Sequence, residues 1–283
     1  MIMRKGRMIP KSGYRFSEKI MRIGKDMNRT GLIVALSLAA VVGLAFGFYP
    51  ELDLRISRVF YEVADASHNM FAWRLYPPLM LARDIGLWVG TVLVAPAVVA
   101  LLIKLILPRR KLLLSGRAIL FLIVTLALGP GVLVNGVLKE HWGRSRPIDV
   151  TQFGGPEHFV AWWDPRGDCP ANCGFVSGDV AGAFWTIAPA ALVPPAWRAL
   201  AYGAALALGA GMAAIRVMAG GHFLTDVVFA GVFTFLIIWI AYGLIYRWRR
   251  TRLTDAGVEW ALELIATPGY DFIVGLFGKR KTE

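Results

Sequence analysis

His222-Phe-Leu-Thr-Asp226-Val-Val-Phe-Ala-Gly-Val-Phe-Thr-Phe-Leu-Ile-Ile-Trp-Ile-Ala-Tyr-Gly-Leu-Ile-Tyr246 decides the class of this chain. After Asp226 it carries no charged residue for 20 positions, about the length a helix needs to cross a bilayer. Lipid leaves a backbone no partners but its own, so such a segment is helical. His222 and Asp226 stand four apart at its head, on one face of the helix. Ionisable residues at the end of a membrane segment are functional candidates by default. Gly220-Gly221 just upstream lets the backbone bend, so Arg216 ends one helix and His222 begins the next. The pattern suits a carboxylate-backed histidine with a guanidinium nearby for an anion. It equally suits a loop histidine beside a helix-capping Asp, and the stretch alone does not separate the two.

Composition extends that class to the whole chain: 57% of the 283 residues are hydrophobic and the mean hydropathy is +0.56. Apolar runs predict six spans, at 31–49, 85–106, 118–138, 179–197, 199–219 and 223–246, and hence an all-α polytopic membrane protein. The fourth is the weakest, interrupted by Pro189 and closed by Pro194-Pro195. The N-terminus is too long and basic for a cleaved signal peptide. With these spans, 21 of the 31 Lys and Arg fall on one side and nine on the other, with Lys104 inside a span. The positive-inside bias then makes both termini cytoplasmic, and the net charge of +12 reports topology, not a nucleic-acid partner. The expected organisation is a basic N-terminal segment (1–30), two spans with an outer interfacial segment (31–117), a core (118–246) and an amphipathic cytoplasmic tail (247–283).

Three clusters reach the outer face under this topology. The third span ends in Lys139-Glu-His141-Trp-Gly-Arg144-Ser-Arg146-Pro147. Cations at an outer boundary oppose the charge bias, and a bound polyanion accounts for them: Arg supplies forked donors to phosphate oxygens and Lys a point charge. The loop 148–178 holds the two cysteines, Cys169 and Cys173, expected to form a short-range disulfide outside the cytoplasm. Two sulfurs without clustered histidines make a poor zinc site. Ser177-Gly178-Asp179 opens the fourth span, where free N–H groups of a helix start cradle anions; the same atoms would serve an ordinary N-cap. Arg216 to Asp226 joins the last two spans. Cations, helix-end amides and a histidine in one layer describe a phosphate site.

Lys139 with Arg146-Pro147, Ser177-Gly178, and Arg216, His222 and Asp226 resemble, in order, the three signatures of the type 2 phosphatidic acid phosphatase (PAP2) superfamily, whose core helices are shared with vanadium haloperoxidases. The resemblance implies that His222 attacks phosphorus to give a phosphohistidine, with Asp226 holding the ring. Lys139, Arg146, Ser177, Gly178 and Arg216 would bind the phosphoryl oxygens, with no metal and no cofactor. Asp179 stands where the second signature has the His that protonates the leaving oxygen, Val176 replaces its Pro, and Ile215 replaces a Ser of the third. The acid is then Asp179, or His141 recruited from the first signature with Arg144 in support, or the leaving group needs less protonation. Trp142-Gly-Arg144-Ser-Arg-Pro, Phe153-Gly-Gly155 and Cys173-Gly-Phe-Val-Ser-Gly-acid look closest to the lipid A phosphatase-like branch. That branch implies a bacterial inner-membrane enzyme whose site faces the periplasm, acting on a lipid phosphate among membrane lipids. The alternatives are a lipid-to-lipid phosphotransferase, an undecaprenyl pyrophosphate or phosphatidylglycerophosphate phosphatase, and a non-catalytic phospholipid-binding pseudoenzyme.

Overall fold

The computed structural model describes residues 11–64 and 68–278. The first ten residues of the expected basic segment lie outside them. Among the described residues the regular structure is helical apart from one short hairpin, β1 (Glu62–Ala64) and β2 (His68–Met70), and residues 142–177 are mostly loop. In chain order the helices are α1 (Lys11–Phe48), α2 (Glu51–Arg58), α3 (Pro77–Ile106), α4 (Gly116–His141), α5 (Gly178–Trp185), α6 (Ile187–Leu192), α7 (Pro195–Met218), α8 (Leu224–Arg247) and α9 (Asp255–Gly278), with short 3-10 turns between. Five segments, Arg29–Phe48 within α1 and the whole of α3, α4, α7 and α8, are long and apolar enough to cross a membrane.

The expected fourth span is not among these five. Residues 178–192 form two short helices, α5 and α6, too short singly to meet the crossing length of about 20 residues. Thr186 marks the break, its hydroxyl donating to the Ala183 carbonyl at 2.7 Å, and Pro194-Pro195 ends the pair. Neighbours support the broken segment: Val180, Ala181, Trp185 and Ala188 are fully buried. α5 packs on α7 and α8, and α6 on α7.

Two apolar clusters stack along the bundle. One gathers Ile119, Phe121, Trp185, Ala188, Ala205 and Ile238; the other, nearer the site, gathers Val134, Phe175, Val180, Met212, Val227 and Ala230. Trp185 buries its indole without leaving the N–H unpaired, because Nε1 donates to Thr125 Oγ1 at 3.0 Å. A smaller cluster of Phe71, Val150, Phe153 and Phe223 lies beneath the loops over the site. α4 widens to π-helical geometry over Ala127–Leu138, where Pro130 supplies no backbone N–H. The Asn135 side-chain amide donates to the Pro130 carbonyl at 2.7 Å.

At the end of the bundle away from the site, α9 is tied down by charge. Lys104, fully buried in α3, donates to Glu263 at 2.6 Å, Glu259 at 3.2 Å and the Arg110 carbonyl at 2.9 Å. Asp255 takes the Arg117 guanidinium at 2.9 Å and the Ser115 hydroxyl. With Glu259 and Glu263 turned toward Lys104, Leu264, Ile265 and Phe272 of α9 are exposed.

Candidate active site

The site is built where α4 ends, α5 begins and α7 turns into α8. The turn needs its glycines. Gly220 has φ +63°, a left-handed conformation that a Cβ disfavours, and Phe71 fills the space a Cβ would take. A Cβ on Gly221 would fall 2.5 Å from Arg216 Nη2, so the guanidinium lies directly over this residue, next to His222.

His222 is buried, 2% exposed, and its Nδ1 lies 2.7 Å from the Gly174 carbonyl. A carbonyl only accepts, so Nδ1 carries the proton and Nε2 keeps its lone pair. Burial first, then the Arg216 cation, push the imidazole well below its usual range, with Arg146 and Lys139 acting in the same direction. The ring is therefore neutral at pH 7, with a free nitrogen among three cations.

The expected role of Asp226 is redrawn. Its Oδ2 stands 3.9 Å from Nδ1, too far for a hydrogen bond, and accepts instead from the Phe223 backbone N–H at 2.8 Å. Oδ1 pairs with Arg144 Nη1 at 2.5 Å. Asp226 thus caps α8 while ion-pairing Arg144, and the Gly174 carbonyl orients the ring. Arg144, expected only as a supporting residue of the acid, is fully buried at the centre of a polar knot. Nη2 meets Asp53 at 2.8 Å, Nη1 also meets Thr225 Oγ1 at 2.7 Å, and Nε donates to the Val160 carbonyl at 3.1 Å. The guanidinium covers the Phe223 ring at 4.6 Å. Asp53, carried in by α2, accepts from the Thr225 N–H at 3.1 Å and its hydroxyl at 2.6 Å, so two carboxylates satisfy the first amides of α8.

The phosphate-site candidates converge on the same layer. Lys139 and Arg146 act electrostatically on His222 and on each other. Arg146 Nη2 donates to the Asn172 carbonyl at 2.5 Å, and the Cys173 N–H donates to the Lys139 carbonyl at 2.8 Å. The loop that makes both contacts is closed by the disulfide between Cys169 and Cys173, at a Cα separation of 5.7 Å. Ser177, fully buried, N-caps α5, accepting from the Val180 N–H at 3.5 Å. Gly178 lets α5 approach α4, since a Cβ there would sit 2.6 Å from Asn135 Oδ1. His141 is exposed at the end of α4. Among the described residues no three His, Cys, Asp or Glu come together as a metal site.

Asp179 is the surprise. Its Oδ2 accepts from Arg83 Nε at 2.7 Å and lies 3.4 Å from Arg216 Nε. Arg83 comes from the first turns of α3, outside all three signatures. Neither Arg83 nor Asp53 was singled out from sequence. Arg83 did carry one signal, a cation on the outer side against the charge bias. Asp53 carried none beyond lying in an amphipathic segment.

The PAP2 superfamily pattern matches residues 118–250. A lipid A 4'-phosphatase of Francisella tularensis subsp. novicida (strain U112) is 33% identical over 226 residues, covering 78% of this chain and 98% of that protein. One from Rhizobium leguminosarum is 44% identical over 104 residues, 37% of this chain and 45% of that protein. The crystal structure of a PAP2-type phosphatidylglycerolphosphate phosphatase from Bacillus subtilis aligns over 79% of this chain and 98% of its own at 19% identity, with a TM-score of 0.49. This multi-pass membrane protein therefore belongs to the PAP2 superfamily.

Proposed function

We propose that this chain is a phosphatase for the phosphate monoester of a lipid headgroup, working without a metal at the periplasmic face of a bacterial inner membrane. The observation that carries it is the neutral His222, its Nδ1–H fixed on the Gly174 carbonyl, surrounded by Lys139, Arg146 and Arg216. Nε2 attacks phosphorus, the bond from phosphorus to the lipid oxygen breaks, and a phosphohistidine forms. Lys139, Arg146, Arg216 and the Gly178 amide stabilise charge on the equatorial oxygens. The leaving oxygen takes its proton from water at the open rim beside His141, and a second water hydrolyses the phosphohistidine. Asp179 acts as a counter-ion and not as the acid. The relatives named as lipid A 4'-phosphatases support the phosphorylated glucosamine disaccharide of lipid A as the substrate.

The test is phosphate release from lipid A in detergent with EDTA, together with acid-quenched trapping of the phosphoenzyme from labelled substrate. His222→Ala is expected to lose both label and turnover, by at least about 10³-fold. Full turnover in that variant would refute the mechanism. Asp179 in place of the usual acid also favours a second reading, a phospholipid-binding pseudoenzyme. Lipid binding by the wild type with neither label nor phosphate release would establish that one instead.

A further inference from the structure

Lys139, Arg146 and Arg216 share the site with Arg83, which is paired to Asp179, and Arg74 adds a weaker electrostatic effect on Arg216. Glu140 and Asp84 are the other acids nearby, Asp84 at 3.5 Å from Arg83 Nη1. Among the described residues Asp179 alone reaches across the cluster, one oxygen facing both Arg83 and Arg216. Arg216 Nε is buried and, at 3.4 Å from that oxygen, makes no hydrogen bond. It is a charged donor held near a carboxylate without being satisfied by it, a costly arrangement for a group out of water. Carboxylate and phosphate oxygens compete for the same guanidinium forks. The α5 N-terminus, where Ser177 and Gly178 lie, brings this carboxylate into the ring of cations.

We infer that Asp179 is a tethered anion that occupies part of the phosphate site in the resting protein, and that Arg83 is a phosphate-binding residue freed when substrate displaces it. This rests on the phosphatase function proposed above and assigns to its site one further cation and a built-in competitor. The substrate phosphoryl group brings more charge and more acceptor oxygens than a carboxylate, so it wins Arg83 and Arg216 and completes the hydrogen bond that Arg216 Nε lacks. After hydrolysis the tethered carboxylate, always present at high effective concentration, competes with inorganic phosphate and clears the site. An acid role for Asp179 would not require Arg83 at all.

Anion binding separates these roles without relying on turnover. Calorimetric titrations with orthovanadate and with inorganic phosphate would be measured on the full-length protein in detergent, for wild type, Asp179→Asn, Asp179→Ala, Arg83→Gln and the Arg83→Gln/Asp179→Asn double variant. Loss of the competitor is expected to tighten both anions by about 10-fold in either Asp179 variant, and adding Arg83→Gln to Asp179→Asn to weaken them again by about 10-fold, as for one charge-assisted contact. Thermal unfolding of each variant checks that it is folded, and two Asp179 substitutions guard against failure of one. Unchanged or weaker anion binding in both folded Asp179 variants overturns the tethered-anion role. Unchanged binding on adding Arg83→Gln overturns the assignment of Arg83. Failure of the wild type to bind either anion would instead refute the phosphate site itself.

Discussion

Arg144→Met tests how the site is held. The guanidinium bonds Asp53, Asp226, Thr225 and the Val160 carbonyl, and both carboxylates are at most 1% exposed. Methionine fills much of the volume but leaves Asp53 and Asp226 buried without their cation. Removing one partner of a buried ion pair costs about 3–5 kcal/mol. At about 2–4 °C per kcal/mol for a protein of this size, the melting temperature falls by roughly 6–20 °C. Asp53→Asn is milder, about 1.5–3 kcal/mol, because Arg144 keeps Asp226. Combining the two removes the conflict between like charges, so the double variant loses less than the sum. Intrinsic fluorescence of the 10 tryptophans in detergent follows unfolding, and phosphate release follows function. Methionine keeps the backbone carbonyl that accepts from the Gly174 N–H at 2.6 Å, so activity falls to the extent that the unpaired buried carboxylates shift this segment and with it Gly174, which orients His222. An Arg144→Met protein melting within about 2 °C of wild type would refute the buried-charge argument, as would strict additivity.

Three further outcomes are expected. The acid limb of kcat/KM lies well below pH 6.5, because burial and Arg216 keep His222 unprotonated. The same shift lowers stability as pH falls through 6.5, since the unfolded chain then takes up a proton that the native ring refuses; pH–rate profiles and melts check the two halves. Gly221→Ala pushes the Arg216 guanidinium from its place and raises KM by about 10-fold more than it changes kcat, measured by steady-state kinetics. Replacing Cys169 and Cys173 together by Ala frees Asn172, whose carbonyl holds Arg146, and raises the orthovanadate inhibition constant by about 3–10-fold with little change in melting temperature.

Much of the fold was legible because lipid imposes one rule, an apolar run of fixed length, and five helices obey it. The exception, residues 178–192, broke where that rule was weakest. A helix buried among α4, α7 and α8 faces protein rather than lipid, so it needs neither the full length nor continuity. Lys104 shows the converse limit. Its charge inside a span was visible, but its partners Glu259 and Glu263 lie more than 150 residues away, at 155 and 159 positions, and no local pattern links them.

The site divides the same way. His222, Arg216, Lys139, Arg146 and Ser177 could be singled out because each lies at a helix end, where spacing and charge bias converge on one layer. The contacts that decide their chemistry were not legible, because they run through space. Asp226 at i+4 from His222 has the spacing of an orienting carboxylate, yet its two oxygens are claimed by the Phe223 amide and by Arg144, and a loop carbonyl 48 residues upstream holds the ring instead. Helical spacing fixes which side chains are near one another, and competition for hydrogen bonds decides which of them pair. Asp179 and Arg83, 96 positions apart, follow the same rule: an acid 3.4 Å from the signature cation Arg216 finds its shortest bond with a cation that no signature contains. Substitution of Asp for His at position 179 therefore alters more than one proton donor. Under the proposed function it adds a negative charge where the substrate's would go, and the helix carrying Arg83 supplies the cation paired with it.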